Sequence, residues 1–304
     1  MVPPKIAWAS IAGVLLLSLF LVWLYPSTQD LMPENPFWNG LQNFSREYAV
    51  EISEPKEGPG APQATALITI PYAPYEDAEL ERIKQFILDG GTLAILDDFG
   101  QGNSLLKYLG LEARFSGSPM LDPLFNFKNA ELPRVTHFEG RLKDKGLNSI
   151  LLNRPSALLQ VESTSVLARS SEASFIDSNG NGTWDRGEPL GPFPVAAEIA
   201  MGKGKIVLVS DAGILISGMI GRDDNYRFLQ EALGLEGKQA IIDISHIPSS
   251  ALERAKGELA RLRRAVSGRY TVTALVLLSL ALAFMPLWAR QDKEDKNGRS
   301  RPTT

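Results

Sequence analysis

Cysteine is absent from all 304 residues. That excludes disulfides, thiolate-held metal ions and a cysteine nucleophile in one step, while leaving the redox compartment undecided. Histidine is nearly absent: only His137 and His246 occur, far apart, and a lone histidine is more often structural than catalytic. No H-E-x-x-H and no G-x-S-x-G occurs, and "GKGK" at 202–205 lacks the spacing and Ser/Thr of a phosphate loop. An excess of positive charge is missing as well. The formal net charge of −4 supplies no basic field to draw the chain onto nucleic acid, so no nucleic-acid partner is expected.

Apolar residues are plentiful, at 44% of the chain, and two long runs of them stand near the ends. Residues 6–25, "IAWASIAGVLLLSLFLVWLY", carry no charge; as a helix rising about 1.5 Å per residue they cover about 30 Å, the hydrocarbon thickness of a bilayer. Residues 270–289, "YTVTALVLLSLALAFMPLWA", form a second run, with Tyr270 and Trp288 where aromatic side chains favour headgroups. Two transmembrane helices are therefore expected, with the lipid bilayer as a partner. The first run is long for a signal peptide and no A-x-A site follows it.

Lys5 precedes the first span, and Arg290, Lys293, Lys296, Arg299 and Arg301 follow the second. By the positive-inside rule the tails 1–5 and 290–304 are cytoplasmic and the central domain is extracytoplasmic, in the cell membrane. Basic residues from Arg254 to Arg269 crowd the other flank, but long loops translocate largely regardless of charge. Residues 26–47 read as a juxtamembrane linker. Residues 249–269, "SSALERAKGELARLRRAVSGR", read as an amphipathic stalk helix whose basic face suits either anionic headgroups or water.

Between these parts, 48–248 reads as one α/β domain. "YAVEIS", "TALITI" and "TLAILDD" are strand-like, and "YEDAELERIKQFILDGG" places Leu80, Ile83, Phe86 and Ile87 at helical spacing before Gly90-Gly91 stops it. Strand, helix, strand in that order is a βαβ unit, which implies a parallel sheet. "GNSLLKYLGL" and "DDNYRFLQEALGL" add helices, "PVAAEIAMGKGKIVLVSD" a hairpin turning at 202–204, and "QAIIDIS" a last strand. A β-rich insertion is expected around 115–195.

"DSNGNGTWDRGE", residues 177–188, has the order of a calcium loop. Asp177, Asn179, Asn181, Thr183 through its carbonyl, Asp185 through water and Glu188 occupy ligand positions 1, 3, 5, 7, 9 and 12, with Gly182 at the sharp turn and Trp184 expected to pack inward. The prolines of "PLGPFP" exclude a second helix, so the expectation is a structural Ca2+ clip and not a sensor EF-hand. Its dissociation constant should be about 10⁻⁴–10⁻³ M, which suits millimolar calcium outside a cell.

In open parallel sheets ligands bind beyond the carboxyl ends of strands. Asp97 and Asp98 stand there, followed by "FGQGN", and so do Ser210 and Asp211. These carboxylates are candidates for acid–base work, small-ligand binding or, most simply, turn and helix capping.

The succession "ALITIPYAPYEDAELERIKQFILDGGTLAILDDFGQGNSLLKYLG", "LLNRPSAL", "DSNGNGTWDRGE", "GKGKIVLVSDAGI" and "DDNYRFLQ" resembles the domain-of-unknown-function 4350 family over roughly residues 60–235. "DFGQGN" and "SDAG" are its most telling segments. The resemblance implies a membrane-anchored protein with a flavodoxin-like, class I glutamine amidotransferase-like sheet, and partners among membrane proteins or AAA ATPase assemblies. Relatives of that fold use a Cys-His-Glu triad, which this chain has no cysteine to complete. The expected function is a membrane-anchored, non-enzymatic interaction or ligand-sensing module. An enzyme with a replaced triad, testable at Asp97, Asp98 and Asp211, and a transporter accessory subunit are the alternatives.

Overall fold

The computed structural model describes residues 24–48, 51–53 and 61–266, together with Ile11, Gly13, Val14, Leu17, Ser18, Phe20 and Val22. The chain divides into two units, 26–250 and the two ends 1–25 with 251–304.

The body, 26–250, is built on one sheet of eight strands: β1 (Glu51–Ser53), β2 (Thr65–Thr69), β3 (Thr92–Leu96), β4 (His137–Phe138), β5 (Val166–Arg169), β6 (Pro194–Met201), β7 (Gly204–Val209) and β8 (Gln239–Asp243). They lie in the order β1-β8-β2-β3-β7-β6-β5-β4. The first five are mutually parallel, and β6, β5 and β4 extend the sheet antiparallel from β7. The helices of the body are α1 (Gln42–Glu47), α2 (Asp77–Leu88), α3 (Asn103–Tyr108) and α4 (Asn225–Leu233).

The central strands are mostly apolar in their middles because both faces are covered, with Thr65, Thr69 and Thr92 at strand ends. Leu67, Leu93, Ile95, Ile206, Leu208 and Ile241 pack in one cluster with Leu80, Ile83, Phe86 and Ile87 of α2 and Leu105 and Leu106 of α3. Ile68, Ala94, Leu96, Val207, Val209 and Ile242 alternate to the opposite face and pack with Phe228 and Leu229 of α4. Each such side chain contributes about 1.5–3 kcal/mol on burial. A capping box between Glu76 and Glu79 opens α2. The β6–β7 hairpin turns at 202–204 as expected, and Gly204 is required there: a Cβ would stand 2.2 Å from Gly91 O and 2.3 Å from Ile87 O.

Two boundaries differ from the sequence reading. Residues 26–47 are not a linker but part of the body. Leu31, Met32, Leu41 and Phe44 are buried in its core, Gly40 O accepts Ser217 N (2.7 Å), and Trp38 O accepts Gly218 N (2.8 Å). The short, proline-broken pattern of this stretch carries no periodicity that announces a core segment. The region 115–195 is β-rich, but it is not wholly a decoration, since β4 and β5 belong to the main sheet while the remaining pairs form small satellite sheets.

In the other unit, α5 (Ala251–Val266) falls inside the expected stalk helix. Glu253 and Lys256 pair at 2.9 Å along it, and the Lys256 ammonium lies 5.2 Å from the Tyr25 ring centroid. Among the described residues no helix is long and apolar enough to cross a membrane. Both expected spans fall largely or wholly outside those residues: 6–25 is described only at scattered positions and 270–289 not at all.

Candidate functional site

The carboxyl ends of β3 and β7 are neighbours in the sheet and bring Asp97, Asp98, Ser210 and Asp211 to one edge of it. Their roles diverge because successive side chains leave a strand on opposite faces. Asp97, 2% exposed, turns into the following loop. Its Oδ1 accepts the amides of Phe99 (2.8 Å) and Gly100 (2.9 Å), its Oδ2 that of Gly102 (2.7 Å), and Ser156 Oγ donates to its backbone carbonyl (3.1 Å). Burial pushes this carboxyl up and the three amides oppose the rise. Both oxygens are committed to holding "FGQG", which is the capping role.

Asp98 instead reaches toward β7, where its Oδ1 accepts Ala212 N (3.0 Å). Asp211 is fully buried; Oδ2 accepts Asn153 N (2.7 Å), while Oδ1 has no hydrogen-bond partner. Ser210 Oγ is likewise buried without a partner. Gly213 permits this crowding, since a Cβ there would meet Asn153 Nδ2 at 2.7 Å and Asp211 Oδ1 at 2.9 Å. Burial and, after it, the neighbouring Asp98 charge push the Asp211 carboxyl well above the usual carboxylate range. Burial and, more weakly, Asp97 push Asp98 up to about 6, with the Ala212 amide and the Arg154 charge pulling the other way. Both carboxyls are thus raised by burial and by each other's or a neighbour's charge, the direction in which a carboxyl keeps its proton. Tyr72, whose phenol is raised by burial and by the same three aspartates, and Phe99, 58% exposed, stand ring to ring at 5.7 Å beside the pair.

The loop 177–188 folds around Asp177, which is buried. Its Oδ1 accepts the amides of Gly180 (2.8 Å) and Asn181 (3.2 Å), and its Oδ2 that of Gly182 (2.8 Å). Asn179 and Asn181 both donate through Nδ2 to Asp185 Oδ2 (2.7 and 2.6 Å), and Glu188 accepts the amides of Ser178 (2.8 Å) and Asp185 (3.0 Å). Asp177, Asn179, Asn181, Thr183, Asp185 and Glu188 are thus gathered in one compact turn. The flanks carry no helices: Ile176 N bonds Pro189 O (3.1 Å) and Gly191 N bonds Ser174 O (2.8 Å), an antiparallel neck. Trp184 does not pack inward; it is 48% exposed and donates through Nε1 to Glu188 O (3.2 Å).

His137 is exposed and pairs with Glu139 (3.3 Å). His246 is buried against Glu79 and Asp243, a group with no counterpart in the sequence reading: Asp243 and His246 are three residues apart at and after the end of β8, but Glu79 comes from α2, 167 residues before His246.

A family model described as "Domain of unknown function (DUF4350)" matches residues 41–233. Among solved structures, the mmIFT52 N-terminal domain aligns over 57% of this chain and 75% of its own, at 14% identity and TM-score 0.42. The cytoplasmic protein STM3548 from Salmonella typhimurium aligns over 65% and 84%, at 9% identity and TM-score 0.36. A β-galactosidase from Bacillus circulans sp. alkalophilus aligns over 54% of this chain but only 22% of its own, at 15% identity and TM-score 0.32. No curated protein matches.

Proposed function

The chain belongs to the domain-of-unknown-function 4350 family, and from its two uncharged apolar runs we propose that it is a membrane-tethered, non-catalytic module that senses a small ligand or a partner. On this reading residues 6–25 and 270–289 anchor the protein, the body 26–250 faces the extracytoplasmic side, and the ligand binds at the strand ends that carry Asp98 and Asp211. The partition of the chain carries the proposal: one complete α/β body stands between two uncharged apolar runs. The described positions of the first run support it, since Ile11, Val14, Leu17, Phe20 and Leu24 are each at least half exposed on a helix, a surface that suits lipid better than water. Partners on this reading are other membrane proteins or an AAA ATPase assembly.

The test is fractionation. After an alkaline carbonate wash the full-length protein should stay with the membrane pellet, and protease added outside intact spheroplasts should cleave the body. Release of the chain into the supernatant by carbonate would overturn the anchor; protection of the body in intact cells would reverse the orientation.

Calcium is the second part of the proposal. Among the loop's ligand set, Asp177, Asp185 and Glu188 carry three negative charges within one turn, held with two asparagine side chains. With a dissociation constant of about 10⁻⁴–10⁻³ M, 2 mM Ca2+ should add about 0.5–2 kcal/mol, a rise in Tm of about 1–8 °C. Glu188→Gln keeps the shape and removes one charge, and should abolish the response. An equal calcium shift in that variant would remove the clip from the account.

A second reading has one observation in its favour. Asp98 and Asp211 stand at the ends of neighbouring strands, with Asp211 Oδ1 buried and unpartnered and both carboxyls raised above their ordinary range, as acid–base work in an enzyme with a replaced triad requires. Asp98→Asn, which keeps an acceptor for Ala212 N, should then abolish turnover without lowering Tm.

A further inference from the structure

We propose that Glu79, Asp243 and His246 form a binding site for a divalent transition-metal ion, with the donor set of zinc, at the carboxyl end of the parallel sheet. The three side chains are 4–6% exposed, and one ligand atom of each lies within 4.8 Å of the others. His246 Nε2 stands 2.8 Å from Glu79 Oε1 and 3.7 Å from Asp243 Oδ2.

The hydrogen bonds around the cluster decide what can sit in its middle. His246 Nδ1 faces the carbonyl of Ala73 at 3.1 Å. A carbonyl offers no hydrogen, so Nδ1 carries a ring proton, and Nε2 is the ring atom that faces the two carboxylates and can ligate once its own proton is displaced. At 2.8 Å Nε2 and Glu79 Oε1 share a proton, and a tetrahedral ion that displaces it needs the two atoms about 3.3 Å apart, an opening of about half an ångström. A second ring proton leaves one net negative charge in this buried place; a dication held by a neutral imidazole and two carboxylates leaves none.

The outer contacts have the pattern of an oriented metal shell. Asp243 Oδ1 is taken by Ser245 N (2.9 Å) and Ser245 Oγ (2.6 Å), which frees Oδ2 for the centre. Glu79 Oε2 is taken by Glu76 N (3.4 Å), which frees Oε1. His246 Nδ1 is taken by Ala73, which frees Nε2, and the Tyr75 ring, 3.9 Å from the imidazole and bonded through its hydroxyl to Thr69 Oγ1 (2.8 Å), fixes the ring plane. Each residue thus has one atom spent outward and one aimed at a shared point. Imidazole with carboxylate oxygens suits zinc better than calcium or magnesium, and three protein ligands leave a fourth tetrahedral position open.

The experiment uses the full-length chain in detergent, stripped with EDTA, equilibrated with micromolar Zn2+ and assayed by mass spectrometry of the metal. The wild type and His137→Ala should hold about one zinc per chain, and Co2+ in place of zinc should give the visible bands of a tetrahedral site. His246→Gln and Asp243→Asn should lose both signals while retaining a cooperative thermal melt, which shows the variants folded. Glu188→Gln should keep its zinc, so failure here is separable from failure of the calcium loop. Zinc content unchanged in His246→Gln, or a wild type that takes up no zinc and shows no tetrahedral cobalt bands, would overturn the site. A proton-held ion cluster would show itself by that second result.

Discussion

Asp97→Ala is expected to destabilise the body by about 2–4 kcal/mol, a fall in Tm of roughly 5–15 °C, without any change in membrane association. The loop after β3 turns back over the sheet edge by placing the amides of Phe99, Gly100 and Gly102 on one carboxylate. With alanine, Phe99 and Gly100 can turn toward water, but the bond from Gly102 is buried and its donor is left unmatched. Asp97→Asn should fall between wild type and alanine, because one oxygen survives for the first two amides while an NH2 group faces the third or the reverse. Thermal melts of the three proteins at one pH measure the order directly. A loss below about 0.5 kcal/mol in the alanine variant would mean that the loop is held by something other than this carboxylate.

The parallel strands and α2 were legible in the sequence for the same reason that they fold. Strands buried on both faces read as unbroken apolar runs, and one-sided burial of α2 leaves Leu80, Ile83, Phe86 and Ile87 at helical spacing. The strands β4 and β5 were not separable from an insertion, because membership of a sheet edge is settled by pairing partners distant in the chain. The position of Asp97, Asp98 and Asp211 at strand ends was readable, but not their division of labour. Whether a carboxylate meets three amides or another carboxylate depends on loop paths that no periodicity encodes. His246 and Glu79 are 167 residues apart, so their contact leaves no spacing to detect, and a lone histidine in sequence became part of a buried cluster in space. Trp184 sits at a loop position that usually packs inward, yet the antiparallel neck provides no helix pair for it to pack between.

Asp211→Asn is expected to make the protein more stable at pH 8, by about 1–3 kcal/mol, and no more stable than wild type near pH 4. The sign follows from the native carboxyls. Asp98 is pushed up to about 6 in the fold and Asp211 is raised well above its ordinary value of 3.8, the value that holds in the unfolded chain. Between those values the native state binds more protons than the unfolded state, so the pair's relative stability is full below about pH 4 and declines as pH rises through 6 and beyond. Asparagine removes one of the two charges, keeps an oxygen for Asn153 N, and leaves Asp98 with only Asp97, Tyr72 and Arg154 as charged or ionisable neighbours in this group. The difference between variant and wild type should therefore open from pH 4 to 8, and urea melts at four or five pH values trace it. A flat difference, or a variant weaker than wild type at pH 8, would mean that Asp211 is ionised and matched by a partner. A site that holds two buried carboxyls in conflict sacrifices stability that a single amide restores. Such a cost persists where the carboxyl pair is used, so the same variant should fail in whatever binding or turnover these strand ends support.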